Sequence, residues 1–393
     1  MNTKSIYFTI EHSLFRDEVR VFIKKEILPY IEQWETEREI PKEIWKKIGA
    51  AGFFGLQYQI SLGGSQKDFF YSVIFLEELG KTGYVGFRIA IALHAYMATS
   101  YIDSFGSEEL KQKYLVPAIK GERISALGIS ETEAGSDLSN LQTTAVIDGG
   151  DYIINGHKKY VINGNVADFI ILVVKTQNTN TQSKRGTIGI SLMIVDLSSP
   201  GISKTMAKNI GMYSSGVAEI QFDHVRVPRT NLIGCAEQGF IYLMKCLQLE
   251  RLTVAVLTIG DIENCINLTW QYLSKRKVYN NTLNKLQVIR HQMADHITAL
   301  EAARQFTYHT VWLYQQNELP IVECSMAKLK TTELAQRVVR DCLQFQGANG
   351  YYSDSFISRM YRDIPMATIG AGSSEVMRDI IAQLALDDKK EIA

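Results

Sequence analysis

The first third of the chain repeats apolar residues at the three- and four-residue spacing of a helix. One predicted helical face carries Leu14, Val19, Val21, Phe22 and Ile27. Pro41 favours the first turn of a second helix, and Ser107 begins another helix with the capping pattern S-E-E-L. The pattern predicts an all-α N-terminal domain over residues 1–122.

The middle of the chain changes to the two-residue alternation that is typical of strands. Turns separate the β-rich runs, and no helical segment comes between them. The runs cover 143–146, 151–154, 169–175, 188–195 and 218–222. Strands that follow one another directly favour an antiparallel barrel or sandwich over a dinucleotide-binding α/β unit, so we predict an antiparallel β domain over residues 123–235.

Helical spacing returns in the last part of the chain, in segments that are longer than a typical helix. These segments are 242–273, 286–315 and 325–345. Their length favours a bundle of antiparallel helices, so we predict a four-helix bundle over residues 236–393 that also offers surface for self-association. The fold class is therefore α+β, with the order α, β, α.

Charge and composition exclude several classes of protein. The 393 residues balance 42 Lys and Arg against 42 Asp and Glu, so no bulk charge favours nucleic acid or an anionic membrane as a partner. The longest purely apolar run, 169–174, is too short to span a bilayer, and the N-terminus has no apolar stretch typical of a signal peptide. We therefore expect a cytoplasmic protein that binds neither nucleic acid nor membrane.

Cysteine and histidine spacing gives no indication of a metal site. The five cysteines are scattered and never in C-x-x-C spacing, which indicates free thiols in a reducing compartment. His291 and His296 are five residues apart, so they do not share the helical face that an i, i+4 metal pair requires. We expect no bound metal.

A loop of small polar residues follows an apolar segment near Ala126. It runs S-E-T-E-A-G-S-D over 130–137 and includes Ser130, Gly135 and Ser136. Glycine and serine leave room for backbone N–H groups to approach a planar polar ligand or a phosphate. A polar loop without a ligand fits this segment equally well when it is taken alone.

Several motifs along the chain together resemble the acyl-CoA dehydrogenase family. The resemblance covers roughly residues 14–385, with all three domains in order. The motifs are 130–137, 155–164 (N-G-H-K-K-Y-V-I-N-G), 222–228 (F-D-H-V-R-V-P), the trio Arg276, Tyr279 and Gln287, 344–350 (Q-F-Q-G-A-N-G) and 372–378 (G-S-S-E-V-M-R).

The resemblance implies that FAD is the cofactor and that an acyl thioester loses two hydrogens, one from Cα and one from Cβ. Ile129 and Ser130 would meet the pyrimidine edge of the flavin, and Tyr160 would pack beside the ring. Ser136, next to Gly135 in the same loop, would contact the flavin and the pantetheine or CoA arm of the substrate.

The family's contacts to the rest of FAD match positions on the C-terminal bundle. Those positions are Arg276, Tyr279, Gln287, Gln344, Gly347, Ala348, Ser373 and Glu375. By resemblance, Gln344, Gly347 and Ala348 would reach the cofactor from a neighbouring subunit. A solvated helix charge is the alternative interpretation of Arg276, and a buried packing amide is the alternative for Gln344.

The catalytic base is where this chain departs from many family members. They carry a carboxylate just before the C-terminal signature, where this chain has Ala371 followed by Gly372. Both residues are predicted substrate contacts, because the Ala371 N–H could donate to the thioester carbonyl. The branch with isovaleryl- and long-chain-type enzymes places the base on the first long helix, which predicts Glu250 as the base and Arg251 as its neighbour. Surface charges on a long helix are the alternative interpretation of this pair.

Other departures lie at positions that the family places around the flavin and substrate. Ile162 stands where a threonine usually contacts flavin N5, and Asn280 stands where glycine is usual. Tyr213 replaces an arginine, and Val217 replaces a threonine. These changes indicate a retuned flavin and an atypical substrate.

The sequence leaves the substrate and acceptor open. The thioester could be an acyl-CoA, or an acyl or aminoacyl group on a carrier protein, as in the prolyl-carrier-protein dehydrogenases. Electrons would leave to an electron-transfer flavoprotein or to oxygen, and the resemblance implies a homotetramer, or a dimer at minimum. Another flavin oxidase or monooxygenase activity on the same fold is the alternative function, and a non-catalytic or nucleic-acid-binding relative is the third hypothesis.

Overall fold

The computed structural model describes residues 5–176, 189–316 and 318–387. Helices form its N-terminal region, as predicted. Their bounds are α1 Ile10–Phe22, α2 Ile31–Glu37, α3 Lys42–Ala50, α4 Phe69–Gly80, α5 Val85–Ala92, α6 Thr99–Phe105, α7 Glu108–Leu110 and α8 Val116–Ile119. The predicted cap is confirmed, because the Ser107 hydroxyl accepts a hydrogen bond from Leu110 N at 3.2 Å.

The apolar face predicted for α1 is only partly buried. Val19 and Ile27 are buried, whereas Leu14 and Val21 are exposed. Helix α1 lies on the outside of the region and packs against α4, so a narrow strip of its surface reaches the core.

A central helix carries the side chains that later line the candidate site. Helices α5 and α6 are joined by a π-helical turn, Leu93–Ala98, and the residues from 85 to 102 are all buried. A helical stretch that is buried on every side belongs in the interior of a protein, and its polar side chains, such as Arg88 and His94, are buried with it.

The middle region is a β-sheet whose strands have short connections. Their bounds are β1 Ser125–Gly128, β2 Thr144–Asp148, β3 Asp151–Val161, β4 Phe169–Thr176, β5 Ile190–Asp196, β6 Ile202–Met206, β7 Ala218–Pro228 and β8 Leu232–Ile233. The order is β6-β7-β3-β2-β4-β5-β8, and β1 pairs with β4. Ile188, the predicted start of the fourth run, lies outside the described residues.

The sheet is mixed, which corrects the prediction of a purely antiparallel domain. Strands β1 and β2 both run parallel to β4, while the other pairings are antiparallel. Gly128 pairs with Leu172, and Thr144 pairs with Lys175. The 129–143 segment therefore leaves the sheet after β1 and rejoins it at β2, and both strands lie on the same side of β4. The alternation of apolar and polar residues does not show where a chain rejoins a sheet.

Three long helices dominate the C-terminal region. The elements are α9 Gly239–Lys275, a hairpin of β9 Lys277–Val278 and β10 Asn281–Thr282, α10 Gln287–Gln315, α11 Ile321–Gln346, α12 Ala348–Tyr351, α13 Phe356–Asp363 and α14 Ser374–Ala382. The predicted long helices are confirmed, and the short helix α14 packs on α11. The middle of α9, residues 248–262, is buried throughout because α4, α10 and α11 surround it.

Two buried carboxylates join the three regions. Glu35 of α2 accepts hydrogen bonds from Tyr213 N and Ser214 N at 2.9 and 3.0 Å. Asp363 of α13 accepts one from Met212 N at 2.7 Å. The loop at residues 212–214, between β6 and β7, is thereby held by a helix of the N-terminal region and by a helix of the C-terminal region.

Candidate active site

Glu250 and Arg251 lie in the interior of α9. Glu250 is 4% exposed and Arg251 is 3% exposed. The hydroxyl of Tyr101, on α6, donates a hydrogen bond to Oε1 of Glu250 at 2.7 Å. The alternative interpretation of this pair as surface charges is therefore wrong.

The environment of Glu250 suits proton transfer near neutral pH. Burial raises the pKa of Glu250 from its ordinary value of 4.5 to about 7, while the Tyr101 hydroxyl and the Arg251 charge favour the ionised form and limit the rise. A base works best when its pKa is close to the working pH. Perturbed carboxylates of this kind are enriched at functional sites.

Arg251 connects Glu250 to the C-terminal signature segment. Its Nη1 donates to Oε1 of Gln248 at 3.1 Å, and its Nε has no hydrogen-bond partner within the described part of the chain. A Cβ atom at Gly372 would lie 3.9 Å from Nη2 of Arg251. Burial lowers the pKa of Arg251, although Cys324 and Glu250 raise it.

The segment at Ala371 and Gly372 has an unusual backbone and a buried cation beside it. Ala371 has a φ of 54° and Gly372 a φ of 92°, which is the left-handed region that favours glycine. The ammonium group of Lys328, on α11, donates to Gly372 O at 2.7 Å. Burial, helped by the Arg251 charge, lowers the pKa of Lys328 to about 8.

Sequence reasoning missed Lys328 and Tyr101. Lys328 lies on the buried face of α11, together with Ala327, Thr331 and Leu334. A lysine among apolar and small residues at helical spacing is the sequence signal that could have identified it. Tyr101 lies in the stretch from 85 to 102 whose residues are all buried, so no pattern distinguishes it from the core tyrosines.

The loop with the predicted flavin contacts is anchored by a buried ion pair. Lys158 Nζ contacts Oε1 of Glu131 at 2.6 Å and Ile129 O at 3.0 Å. Glu131 also accepts from Gln142 N at 2.6 Å and Thr143 N at 3.1 Å. These contacts anchor both ends of the excursion between β1 and β2.

The predicted flavin contacts themselves face outward. Ile129 and Ser130 are half-buried, while Gly135 and Ser136 are exposed, with space for a Cβ atom at Gly135. Lys159 N donates to Ser130 O at 3.0 Å, which brings Ser130 beside Tyr160. Tyr160 is 62% exposed, and its φ is 61°.

The remaining predicted contacts lie in two places, one after β3 and the other at the start of α14. Ile162 is half-buried, at the turn after β3. Ser373 caps α14 by accepting from Val376 N at 3.3 Å, and Glu375 is exposed in the first turn of that helix.

Two groups of predicted contacts meet at one end of the bundle. Tyr272, one turn before Arg276, accepts from Asn349 Nδ2 at 3.1 Å and donates to Gln346 O at 3.2 Å. This places the loop with Gly347 near the hairpin of β9 and β10. The exposed members of the two groups are Arg276, Tyr279, Gln287, Gln344, Gly347 and Ala348. Gln344 is exposed, so its interpretation as a buried packing amide is wrong.

The donor set suits FAD. The Arg276 guanidinium makes no ion pair or side-chain hydrogen bond with the rest of the described chain, and its planar fork matches the oxygens of a pyrophosphate. Tyr279 is 96% exposed, an unusual position for an aromatic ring. The exposed Tyr160 ring and the open loop at Gly135 would suit the flavin itself.

The Tyr213 departure has a local structural consequence. The Arg38 guanidinium lies over the Tyr213 ring, 4.3 Å from its centroid, and the Tyr213 hydroxyl donates to Ile210 O at 3.3 Å. Tyr213 therefore contributes to the loop that Glu35 holds. Asn280 has a φ of 64°, in the left-handed region where glycine is favoured and asparagine is tolerated, so asparagine can meet the backbone requirement that glycine usually meets there. Nothing in the structure explains Val217.

Other features of the described residues lie apart from Glu250. A surface cleft of about 490 Å³ is lined by Lys42, Arg123, Asp168 and Lys204, and none of the predicted site residues lines it. Among the described residues, no helix has both the length and the apolar character needed to cross a membrane. Within the same residues, no cluster of three or more His, Cys, Asp or Glu side chains could hold a metal ion.

Comparison with known families covers nearly the whole chain. Residues 9–122, 126–225 and 237–386 match the acyl-CoA dehydrogenase N-terminal, middle and C-terminal domains, respectively. The short-chain specific acyl-CoA dehydrogenase of Clostridium acetobutylicum is 35% identical over 95% of this chain and 97% of its own length.

Two further relatives extend this comparison. The caffeyl-CoA reductase-Etf complex subunit CarC of Acetobacterium woodii is 33% identical over 97% of this chain and 100% of its own. The crystal structure of an acyl-CoA dehydrogenase from Geobacillus kaustophilus is 38% identical, covers 98% of this chain and 100% of its own, and superposes with a TM-score of 0.93. This chain belongs to the acyl-CoA dehydrogenase family and is an FAD-dependent oxidoreductase.

Proposed function

We propose that this chain oxidises an acyl thioester by removing a proton from Cα and a hydride from Cβ, with Glu250 as the base. The observation that carries the proposal is a buried carboxylate that accepts a hydrogen bond from Tyr101 and whose pKa is raised to about 7, in a chain that has alanine at position 371. FAD, when bound, supplies the acceptor for the hydride.

Glu250 would take the Cα proton onto its carboxylate. Burial keeps water away from that carboxylate, which strengthens its interaction with the substrate proton. The buried Arg251 charge on the same helix favours the ionised form that a base requires.

The enolate oxygen that forms as the proton leaves needs a donor placed in advance. The backbone N–H of Ala371 is our candidate. Lys328 supports this assignment, because it fixes the next carbonyl, Gly372 O, by a 2.7 Å hydrogen bond. Ser136, in the exposed loop, would contact the pantetheine arm.

We propose that the acyl group of the substrate is attached to coenzyme A, and the alternative is attachment to a carrier protein. The two curated relatives described above carry names that refer to CoA thioesters, one with short-chain acyl groups and one with a caffeyl group. Because these acyl groups differ so much at similar identity, we propose no acyl group. One of the two is named a reductase, so the reaction should also be measured in the reverse direction.

An electron-transfer flavoprotein is the proposed electron acceptor, and oxygen is the alternative. The name of the Acetobacterium relative places it in a complex with such a flavoprotein. We also propose that copies of this chain associate as a homotetramer. The exposed positions Gln344, Gly347 and Ala348 are available to a neighbouring copy.

The test is an anaerobic titration of the purified yellow protein, followed at the visible flavin band. One series offers short, branched and aryl acyl-CoAs, and the other offers acyl- or prolyl-loaded carrier proteins. We expect bleaching in the CoA series and a rate lower by about 10²–10⁴-fold in Glu250→Gln. Glu301→Gln, an exposed carboxylate on α10, is the matched control and should bleach like wild type.

Other outcomes would redirect the proposal. Bleaching that survives in Glu250→Gln would rule out Glu250 as the base, and bleaching only in the second series would make the carrier protein the substrate handle. Oxygen consumption without any bleaching by thioesters would favour a different flavin oxidase or monooxygenase. A protein that purifies without flavin would favour the non-catalytic hypothesis.

A further inference from the structure

Tyr101 is buried with its hydroxyl directed at the proposed base. It is fully buried on α6, and the hydroxyl donates to Oε1 of Glu250 at 2.7 Å. The two residues are 149 positions apart in the sequence, so the contact joins the N-terminal helices to the C-terminal bundle.

We propose that Tyr101 is a positioning residue for the base: its hydroxyl holds one oxygen of Glu250, favours the ionised form of the carboxylate and leaves the other oxygen for the substrate. This inference rests on the proposed role of Glu250. It adds a residue that the motifs of the sequence do not include.

The hydroxyl of Tyr101 remains a donor across the working pH range. Burial and the nearby Glu250 charge hold the pKa of Tyr101 well above its ordinary value, so the phenol does not ionise near neutral pH. A hydrogen bond donated to a carboxylate favours the charged form. Loss of the donor should therefore make Glu250 hold its proton to a higher pH.

The other titratable groups around this pair do not replace the Tyr101 donor. Arg251 is the neighbouring charge on the same helix. Cys246, one turn earlier, faces both residues, and burial raises the pKa of its thiol to about 12, so it stays neutral. Four further titratable groups interact electrostatically with Cys246 or Arg251. They are Asp103, Tyr314, Cys324 and Lys328.

Tyr58 provides a matched control in the same region. Its hydroxyl is also fully buried, and it hydrogen-bonds to Ala95 O at 2.9 Å and to Thr99 Oγ1 at 2.8 Å. Tyr58→Phe removes a comparable buried hydroxyl but leaves the contact between Tyr101 and Glu250 in place.

The experiment compares wild type, Tyr101→Phe, Tyr58→Phe and Glu250→Gln as FAD-loaded proteins. Stopped-flow flavin reduction by the acyl-CoA that bleaches wild type is measured from pH 5.5 to 9.5. The pH at which the Glu250 carboxyl group ionises is measured without substrate, by infrared difference spectroscopy, with Glu250→Gln identifying the band.

In Tyr101→Phe, we expect the acidic limb of the rate profile and the infrared titration to move upward together by about one pH unit. At pH values below the midpoint of the acidic limb, the rate would then fall about tenfold, because a rise of one pKa unit lowers the ionised fraction of Glu250 about tenfold at those pH values. Tyr58→Phe should keep the wild-type midpoints. Difluorotyrosine placed at position 101 preserves the shape of the side chain and should move both midpoints downward, because it is a stronger donor.

Unchanged midpoints in both Tyr101 variants would overturn the inference. If Glu250→Gln abolishes bleaching while Tyr101→Phe keeps the wild-type profile, only the role of Tyr101 fails. If Glu250→Gln still bleaches, the proposed function fails, whereas a shifted infrared midpoint in Tyr101→Phe would still measure the contact itself.

Discussion

Two glutamates of this chain are both nearly fully buried, and their pKa values move in opposite directions. At Glu131, burial raises the pKa, but the Lys158 ammonium group and the hydrogen bonds from residues 142 and 143 outweigh burial, and the pKa falls below its ordinary value. At Glu250, burial wins, and the pKa rises to about 7. Both side chains are shielded from direct contact with water, but Glu250 lies deeper in the protein, so the difference comes from the depth of burial as well as from the partners.

The comparison separates a structural carboxylate from the proposed base. Glu131 has an ammonium partner and two backbone N–H donors, so its charge is fully compensated and it can hold the 129–143 segment in shape. Glu250 has a single phenol donor, so its charge is only partly compensated. An under-compensated carboxylate gains from taking up a proton, which is what a base does.

The largest effect on stability should come from breaking the compensated pair. Lys158→Met leaves Glu131 buried without its cation, and we expect the free energy of unfolding to fall by about 3–5 kcal/mol. Urea unfolding of the FAD-loaded protein, followed by circular dichroism, measures it. Lys159→Met, at the neighbouring partly exposed position, is the control and should cost at most about 1 kcal/mol. Equal losses in the two variants would contradict a special role for the buried pair.

Glu250→Gln should change the pH dependence of stability. The carboxyl group of Glu250 binds its proton more tightly in the folded state, because its pKa is about 7 there and 4.5 ordinarily. Its contribution to stability is therefore complete below about pH 4.5 and is lost as the pH rises through 7. Glutamine does not ionise, so the variant does not lose this contribution. We therefore expect the free energy of unfolding of the variant, relative to that of wild type, to rise between pH 5 and pH 8 by up to about 3 kcal/mol.

The measurement is a series of urea titrations of wild type and Glu250→Gln across that pH range. Burial also raises the pKa values of Asp261 and Asp363, to about 6 and about 7, but both residues are present in each protein and cancel in the difference. Glu301→Gln is the exposed control and should follow wild type. Parallel curves for Glu250→Gln and wild type would show that burial does not perturb Glu250.

The smallest effect should come from the segment at Ala371, where many family members carry a carboxylate and this chain does not. Ala371 has a φ of 54°, so Ala371→Gly should relieve backbone strain and stabilise the protein by about 1 kcal/mol. Ala367→Gly, in a helical turn of the same segment, should instead destabilise it by about 0.5–1 kcal/mol. Thermal unfolding of the two variants measures the contrast, and the same sign in both would argue against strain at Ala371.

Predictions from the sequence succeeded where structure is local. The helices α9, α10 and α11 end within a few residues of the predicted bounds, and the Ser107 cap is where the S-E-E-L pattern indicated. The strand prediction failed at the direction of β1 and β2, because direction depends on where a strand returns to the sheet rather than on its own residues. The buried face of α1 was only half right, since the width of a buried face depends on its neighbours.

For the site, the sequence by itself determined the candidates, and the tertiary structure decided their environment. By resemblance to the family, the motif at Leu249, Glu250 and Arg251 and the absence of a carboxylate at Ala371 predicted Glu250 as the base. Only the fold shows that Glu250 is buried, that Tyr101 holds it and that Lys328 holds Gly372. The physical reason is that desolvation and hydrogen bonding depend on groups that are distant in the sequence, whereas residue type and periodicity are properties of the chain itself.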